Sequence, residues 1–254
     1  MLQDAHIHIQ DLKNSAFIDD FLNAASAQAI DRFFGCAITP ADWPMVESLA
    51  SRCHGLVPFF GIHPWFADMP TPGWENDLRA LLEKYPGAGV GETGLDRTRK
   101  NIDMDVQKDI FRRHLVIARE FSRPFALHCV RAWPDTLALI KENAGGLAFC
   151  AHSFYGTPEI LAEVLSLGGY ASFSAKQLLK PDDILKPLVA ATPVDRILIE
   201  TDFPYQTKWT TSADYVSTLR LAYEVAAGIK GLKLQEFTEA VFKTGAVLSK
   251  FVPS

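Results

Sequence analysis

At 254 residues, 48% hydrophobic and 22% charged, the chain has ample apolar material for one large α/β domain or two small ones. It has no continuous apolar run of membrane-spanning length, and Met1-Leu2-Gln3-Asp4 lacks a basic stretch leading into an apolar segment, so neither a membrane span nor a secretory signal is expected and the cytoplasm is the default location. A formal net charge of −5 excludes a broad basic coat for nucleic acid while leaving a local phosphate site open, and Cys36, Cys53, Cys129 and Cys150, without CxxC spacing, are read as reduced.

The first β-rich run covers residues 5–9 and holds His6 and His8. Side chains alternate along an extended strand, so both imidazoles point the same way. They either chelate a borderline divalent ion such as Zn²⁺ or form a buried, hydrogen-bonded pair. A helical pattern at 17–30, a strand at 33–39 and a helix at 43–53 follow, then a strand at 56–63 that runs into Gly61-Ile62-His63-Pro64-Trp65. A helix at 74–85 precedes a strand at 89–95, within Gly91-Glu92-Thr93-Gly94-Leu95-Asp96. Segment 103–121 reads as an amphipathic helix, because Val106, Ile110, Phe111, His114, Leu115, Ala118 and Phe121 recur at three- and four-residue spacings. Strand 124–130 carries Leu127-His128-Cys129, helix 135–143 follows, and strand 147–154 carries Ala151-His152. Next come helix 158–167 behind a Thr157-Pro158 cap, strand 170–174, helix 181–191 and strand 197–204, which contains Glu200-Thr201-Asp202. Helices at 212–227, opened by Ser212 with Asp214, and at 233–250 complete the pattern.

Eight β-then-α units, with strands too apolar to face water on either side, point to an α/β fold: a single (β/α)8 TIM barrel domain over 1–254, with a doubly wound sheet as the alternative. In such a barrel chemistry sits at the C-terminal ends of the strands. Six of the eight expected strands carry a His or an acid there. A buried charge without a partner is costly, so together these residues point to a metal site; the alternative is that each caps its own turn.

The ordered set His6-Ile7-His8, Gly61-Ile62-His63-Pro64-Trp65, Gly91-Glu92-Thr93-Gly94-Leu95-Asp96, Leu127-His128-Cys129, Ala151-His152-Ser153-Phe154-Tyr155-Gly156 and Glu200-Thr201-Asp202-Phe203-Pro204-Tyr205 resembles the TatD-type metal-dependent deoxyribonuclease family, within the amidohydrolase-like barrel superfamily. The resemblance implies two divalent metal ions (Zn, Mn or Mg). His6 and His8 would hold one, Glu92 would bridge, His128 and His152 would hold the second, and Asp202 would ligate beside the nucleophilic water. Mixed imidazole and carboxylate donors suit Zn²⁺, Mn²⁺ or Ni²⁺ better than the all-oxygen shell Mg²⁺ prefers. Two ions about 3.5–4 Å apart generate a hydroxide near neutral pH and stabilise both oxygens of a phosphodiester displacement. Asp202 can take the water's proton. The implied activity is a 3′–5′ exonuclease on single-stranded DNA, with nucleic acid or a nucleotide-like phosphoester as substrate. Aminoacyl-tRNA deacylation on the same site, or a metal-holding scaffold without activity, are the alternatives, and a monomer is expected.

Glu200, one layer below Asp202 on the same face, either orients a ligand or is a buried, paired acid. His63 touches the substrate phosphate at the mouth or anchors its loop. Arg97, Arg99 and Arg131 are either phosphate contacts or solvated charges. Trp43, Trp65, Trp74, Trp133 and Trp209, with Phe154, Tyr155 and Tyr205, either stack bases or pack loops. His54 and His114 are read as structural. Three departures from the family pattern, an arginine one place late at Arg131, Phe203 after Asp202 and Trp65 after Pro64, concern the pocket and leave the substrate open.

Overall fold

A computed structural model describes residues 1–12, 15–53, 55–206 and 211–249, so His54 and Trp209 lie outside the described residues. The element order is β1 Leu2–Ile7, α1 Ser15–Ala27, β2 Ile30–Cys36, α2 Trp43–Arg52, β3 Leu56–Phe60, α3 Trp74–Lys84, β4 Gly89–Asp96, α4 Met104–Glu120, β5 Phe125–Val130, α5 Trp133–Asn143, β6 Phe149–Ala151, α6 Pro158–Ser166, β7 Gly169–Ser174, α7 Ala175–Leu178, α8 Leu185–Ala191, β8 Ile197–Glu200, α9 Ser212–Lys230 and α10 Leu234–Leu248. The eight strands pair in parallel in the order β1-β2-β3-β4-β5-β6-β7-β8. That is the barrel order, and it rules out a doubly wound sheet, whose order reverses at a switch point. No helix among the described residues is long and apolar enough to cross a membrane.

Strand alternation divides the apolar side chains into two layers. Ala5, Phe34, Cys36, Val57, Phe59, Ala126, Cys150, Tyr170 and Leu198 form one cluster that fills the barrel. Their neighbours Phe33, Phe60, Phe125, Phe149 and Ile197 belong to the larger cluster under the helices. Leu248 of α10 joins the interior cluster, and Gln3 donates to the Val241 carbonyl at 2.8 Å, which fastens α10 across the base of β1.

Several strands stop earlier than their apolar runs suggest. The runs at 56–63, 147–154 and 197–204 leave the ladder at Phe60, Ala151 and Glu200. Beyond those points the chain turns over the barrel mouth, and the residues there, 61–63, 152–154 and 201–204, include His63, His152 and Asp202. Closure occurs there too. Ile7 bridges Phe203 in parallel, Asp202 N donates to the His6 carbonyl at 3.0 Å, and His8 N donates to the Phe203 carbonyl at 2.6 Å. The segments bearing His6, His8 and Asp202 therefore close the barrel seam. Two helix starts also differ. Thr211, not Ser212, caps α9, accepting from Asp214 N at 3.2 Å, and Asp182 Oδ1 accepts from Leu185 N at 2.7 Å, where α8 begins four residues later than Pro181 suggests.

Candidate metal centre

Local packing explains how each acid reaches the mouth. β4 must lie close against β5, and its glycines permit this: a side chain on Gly94 (φ +148°) would meet the His128 carbonyl oxygen at 1.9 Å, and one on Gly91 (φ +133°) the Ala126 carbonyl oxygen at 2.6 Å. Glu92 lies between them. At β8 the chain turns at Asp202, whose φ of 58° lies in the left-handed region that Asp tolerates better than most residues. Tyr205 N closes that turn onto the Asp202 carbonyl at 2.7 Å. Beneath the seam, the buried carboxylate of Asp4 accepts from Thr201 N at 2.9 Å, Thr201 Oγ1 at 2.5 Å and Tyr215 Oη at 3.0 Å, tying β1 to the end of β8. Burial raises the Asp4 carboxyl to about 7 even though these hydrogen bonds favour its ionised form.

Glu92 is the hub. Its Oε2 lies 3.1 Å from His6 Nε2 and 3.3 Å from His8 Nε2, while its Oε1 lies 2.8 Å from His128 Nδ1, 3.5 Å from His63 Nε2 and 4.0 Å from His152 Nε2. Asp202 faces it from the seam, with Oδ1 3.3 Å from His8 Nε2 and Oδ2 4.0 Å from His152 Nε2. The donors converge in three overlapping trios, His6–His8–Glu92, His63–Glu92–His128 and His6–His152–Asp202, with the ligand atoms of each trio within 4.8 Å of one another.

What lies behind each imidazole distinguishes them. His8 Nδ1 donates to the Cys36 carbonyl at 2.7 Å and His128 Nε2 to Asp96 Oδ2 at 3.2 Å, while His152 Nδ1 lies 2.7 Å from Glu200 Oε1 as an ion-pair contact. An imidazole that donates from one nitrogen offers a lone pair on the other once it is neutral, so His8 Nε2 and His128 Nδ1 face the cluster as potential ligands, and His152 turns its Nε2 to the same place. His63 is the reverse case. Its Nδ1 accepts from Trp65 N at 3.1 Å, which leaves the hydrogen on Nε2, the nitrogen that faces Glu92 and His128. His63 therefore presents a donor, and at 6% exposure it sits deeper than a residue at the rim.

Burial disfavours charge on every one of these imidazoles, and the carboxylates decide which keep it. Glu200 and Asp202 outweigh burial at His152 and hold it up to about 10, and Asp202 and Glu92 do the same for His8. Burial and the His128 charge hold His63 well below the ordinary histidine value. Against the cost of its own burial, Glu92 is kept far below the usual carboxylate range by His6 and His63, and Asp202 is kept at about 2 by His152 and His8. A buried set of ionised carboxylates that draws positive charge onto the imidazoles between them fits a divalent cation, which would take the place of those protons, in both charge and donor type.

The centre opens into a cavity of about 400 Å³ walled by Ile38, Trp65, Phe66, Cys129, Val130 and Tyr205 among others. Tyr205 meets His8 edge-on at 5.3 Å between ring centroids and donates to Asp11 at 2.6 Å. Val130 rather than an arginine lines this cavity, and Arg131 is exposed, with a φ of 54°. Arg97 is exposed and paired with Asp135, while the Arg99 guanidinium lies 3.7 Å over the Trp65 ring. Trp43, Trp74 and Trp133 are buried, so of the four described tryptophans only Trp65 lines the cavity. Sequence reasoning passed over Asp96, which sits behind His128, and Gln206, which donates to Asp202 Oδ2 at 2.7 Å. The Asp96 position was readable as the last residue of its motif; Gln206 had no sequence signal.

The sequence model described as TatD related DNase matches residues 3–246. An uncharacterized metal-dependent hydrolase of Escherichia coli, YcfH, is 28% identical over 247 residues, covering 94% of this chain and 91% of its own length. A Klebsiella pneumoniae protein named 3′-5′ ssDNA/RNA exonuclease TatD is 27% identical over 201 residues, 76% of each chain. The crystal structure of a TatD family hydrolase from Entamoeba histolytica superposes with a TM-score of 0.85 at 21% identity, covering 98% of this chain and 97% of that one, which shows the shared barrel.

Proposed function

The chain belongs to the TatD-related DNase family, and on that footing we propose that it is a metal-dependent hydrolase of phosphodiesters, acting as a 3′–5′ exonuclease on single-stranded DNA. The observation that carries this reading is the division of Glu92: one oxygen faces His6 and His8, the other faces His128. Two divalent ions, Zn, Mn or Mg, would be held by His6, His8, Glu92 and Asp202 on one side and by Glu92, His128 and His152 on the other. When bound they acidify water and neutralise charge on a phosphoryl oxygen.

The chain's own groups do the rest. Asp202, ionised down to about pH 2 and lining the cavity, accepts a proton only from a donor far more acidic than free water, so its role as base depends on that acidification. His63 donates from Nε2 to a substrate oxygen. Glu200 fixes the His152 ring and is itself held by Ser153 N at 2.9 Å and Ser153 Oγ at 2.8 Å. Trp65 and Tyr205 offer aromatic surface beside the centre for an unpaired base.

One observation favours a second reading. No Lys or Arg lines the cavity among the described residues, so the lining does not call for an anionic phosphodiester at the reacting bond, and a neutral carboxylic ester bond such as that of aminoacyl-tRNA fits it as well. Both readings are tested by supplying purified protein with end-labelled single-stranded DNA, duplex DNA and aminoacyl-tRNA, with Mn²⁺, Mg²⁺ or Zn²⁺ and with chelator. Chelator-sensitive shortening of single-stranded DNA from the 3′ end, lost in His128→Ala and Asp202→Asn, is the expected result. Turnover of aminoacyl-tRNA alone transfers the assignment to the ester reading, and full activity in both variants sinks the site assignment.

A further inference from the structure

Asp96 ends β4 and is 1% exposed. Its backbone is clamped from α4, with Asp96 N donating to Gln107 Oε1 at 2.8 Å and Gln107 Nε2 donating to the Asp96 carbonyl at 3.2 Å. The carboxylate has little freedom as a result. Its Oδ1 accepts from Thr98 N at 2.8 Å and Thr98 Oγ1 at 2.5 Å, while its Oδ2 accepts from Trp65 Nε1 at 2.7 Å and His128 Nε2 at 3.2 Å. A single carboxylate oxygen thus touches both a wall of the cavity and an imidazole of the centre. Thr98 and Trp65 already supply three donors from fixed positions, so His128 meets an acceptor whose orientation does not depend on it.

Resting on the metal reading above, we infer that Asp96 is a positioning residue: it selects the tautomer of His128 and thereby makes Nδ1 the nitrogen that ligates on the Glu92 Oε1 side. An imidazole can ligate through either nitrogen, and the partner of the other nitrogen decides which. His128 lies between two carboxylates, Nδ1 at 2.8 Å from Glu92 Oε1 and Nε2 at 3.2 Å from Asp96 Oδ2, so with Asp96 accepting from Nε2 it is Nδ1 that would give up its hydrogen to hold a cation. The arrangement parallels Glu200 behind His152, with the two nitrogens exchanged.

The test uses the full chain and zinc alone. Calorimetric titration of wild type, His128→Ala, Asp96→Asn and Asp96→Ala follows zinc affinity, and thermal unfolding of the zinc-free proteins follows the fold. Replacing an orienting partner of a ligand costs about 10–100-fold in metal affinity. That loss is expected in both Asp96 variants, for the ion that His128→Ala also loses, and beside any fall in the zinc-free unfolding midpoint from the donors of Thr98 and Trp65 left unpaired. A residue that only packs the loop would shift the midpoint and leave affinity unchanged. Nitrogen-15 resonances of zinc-loaded wild type need no variant to fold: His128 must show hydrogen on Nε2, and hydrogen on Nδ1 overturns the inference. Wild-type zinc affinity in Asp96→Asn overturns it as well while leaving the metal reading intact. Failure of the wild type to bind any zinc that His128→Ala loses overturns both.

Discussion

The barrel contains two kinds of buried histidine. His114, on α4, is fully buried, donates from Nδ1 to the Ile110 carbonyl at 2.8 Å, accepts from Ile62 N at 3.1 Å, and stacks on Trp74 at 4.4 Å between ring centroids. Its partners are neutral, and burial pushes it down to about 4. In the mouth His152 has a carboxylate 2.7 Å behind it, and is held up to about 10 despite burial. Burial is common to both and so cannot mark function. What separates them is ionised carboxylate within contact range, the condition that also favours a cation.

The sharpest way to break this comparison is to remove the charge that defines the mouth. Glu92→Gln keeps the shape of the hub and loses its negative charge against five imidazoles, all within 4.0 Å. On the proposed reading kcat/KM falls by at least about a thousandfold, ~4 kcal/mol at 1.36 kcal/mol per decade. Steady-state kinetics with saturating metal check it. Activity within about tenfold of wild type would mean that the imidazoles assemble the centre without their shared carboxylate.

The neutral histidine makes an equally definite demand on stability. In the folded chain His114 stays unprotonated down to about pH 4, whereas the unfolded chain protonates it near the ordinary histidine value of 6.5. Between those values the unfolded state binds more protons, so the contribution of His114 to stability is full above pH 6.5 and is lost as pH falls towards 4. The loss amounts to roughly 3 kcal/mol. Urea unfolding at a series of pH values, on wild type and His114→Gln, should show that slope in the first and not in the second. An identical slope in both would remove the electrostatic distinction between His114 and the mouth.

How much of this was legible depended on the range of the interaction involved. The eight strands and the barrel followed from apolar runs alternating with helical periodicity, a local signal. Convergence of His6, His8, Glu92, His128, His152 and Asp202 followed from knowing that barrel strands deliver their ends to one place. What the pattern could not give was the partner behind each ring. Whether His63 ligates or donates depends on Trp65 N, and which nitrogen of His128 is free depends on Asp96, contacts set by a tight turn and by the β4–β5 register. Strand ends were overrun for a related reason: the sequence pattern continues to Pro204, but Asp202 turns left-handed to close the seam.

The two arginines behind the β4 acid show the same limit on a smaller scale, and they give the finest test. Sequence places Arg97 and Arg99 alike, two residues apart after Asp96. In the structure Arg97 pairs with Asp135, which Lys108 Nζ also approaches at 3.2 Å, whereas Arg99 lies over the Trp65 ring at 3.7 Å, on a residue that lines the cavity. An exposed ion pair contributes about 0–1 kcal/mol to stability and has no route to the substrate. A cation stacked on an exposed indole contributes about 0.5–1 kcal/mol to holding that ring. Arg99→Ala should therefore raise KM by about two- to fivefold with kcat unchanged, and Arg97→Ala should leave both within about twofold. A larger effect from Arg97→Ala would show that its guanidinium leaves Asp135 to meet the phosphate backbone, and would extend the functional surface beyond the mouth to the outer face of the loop after β4.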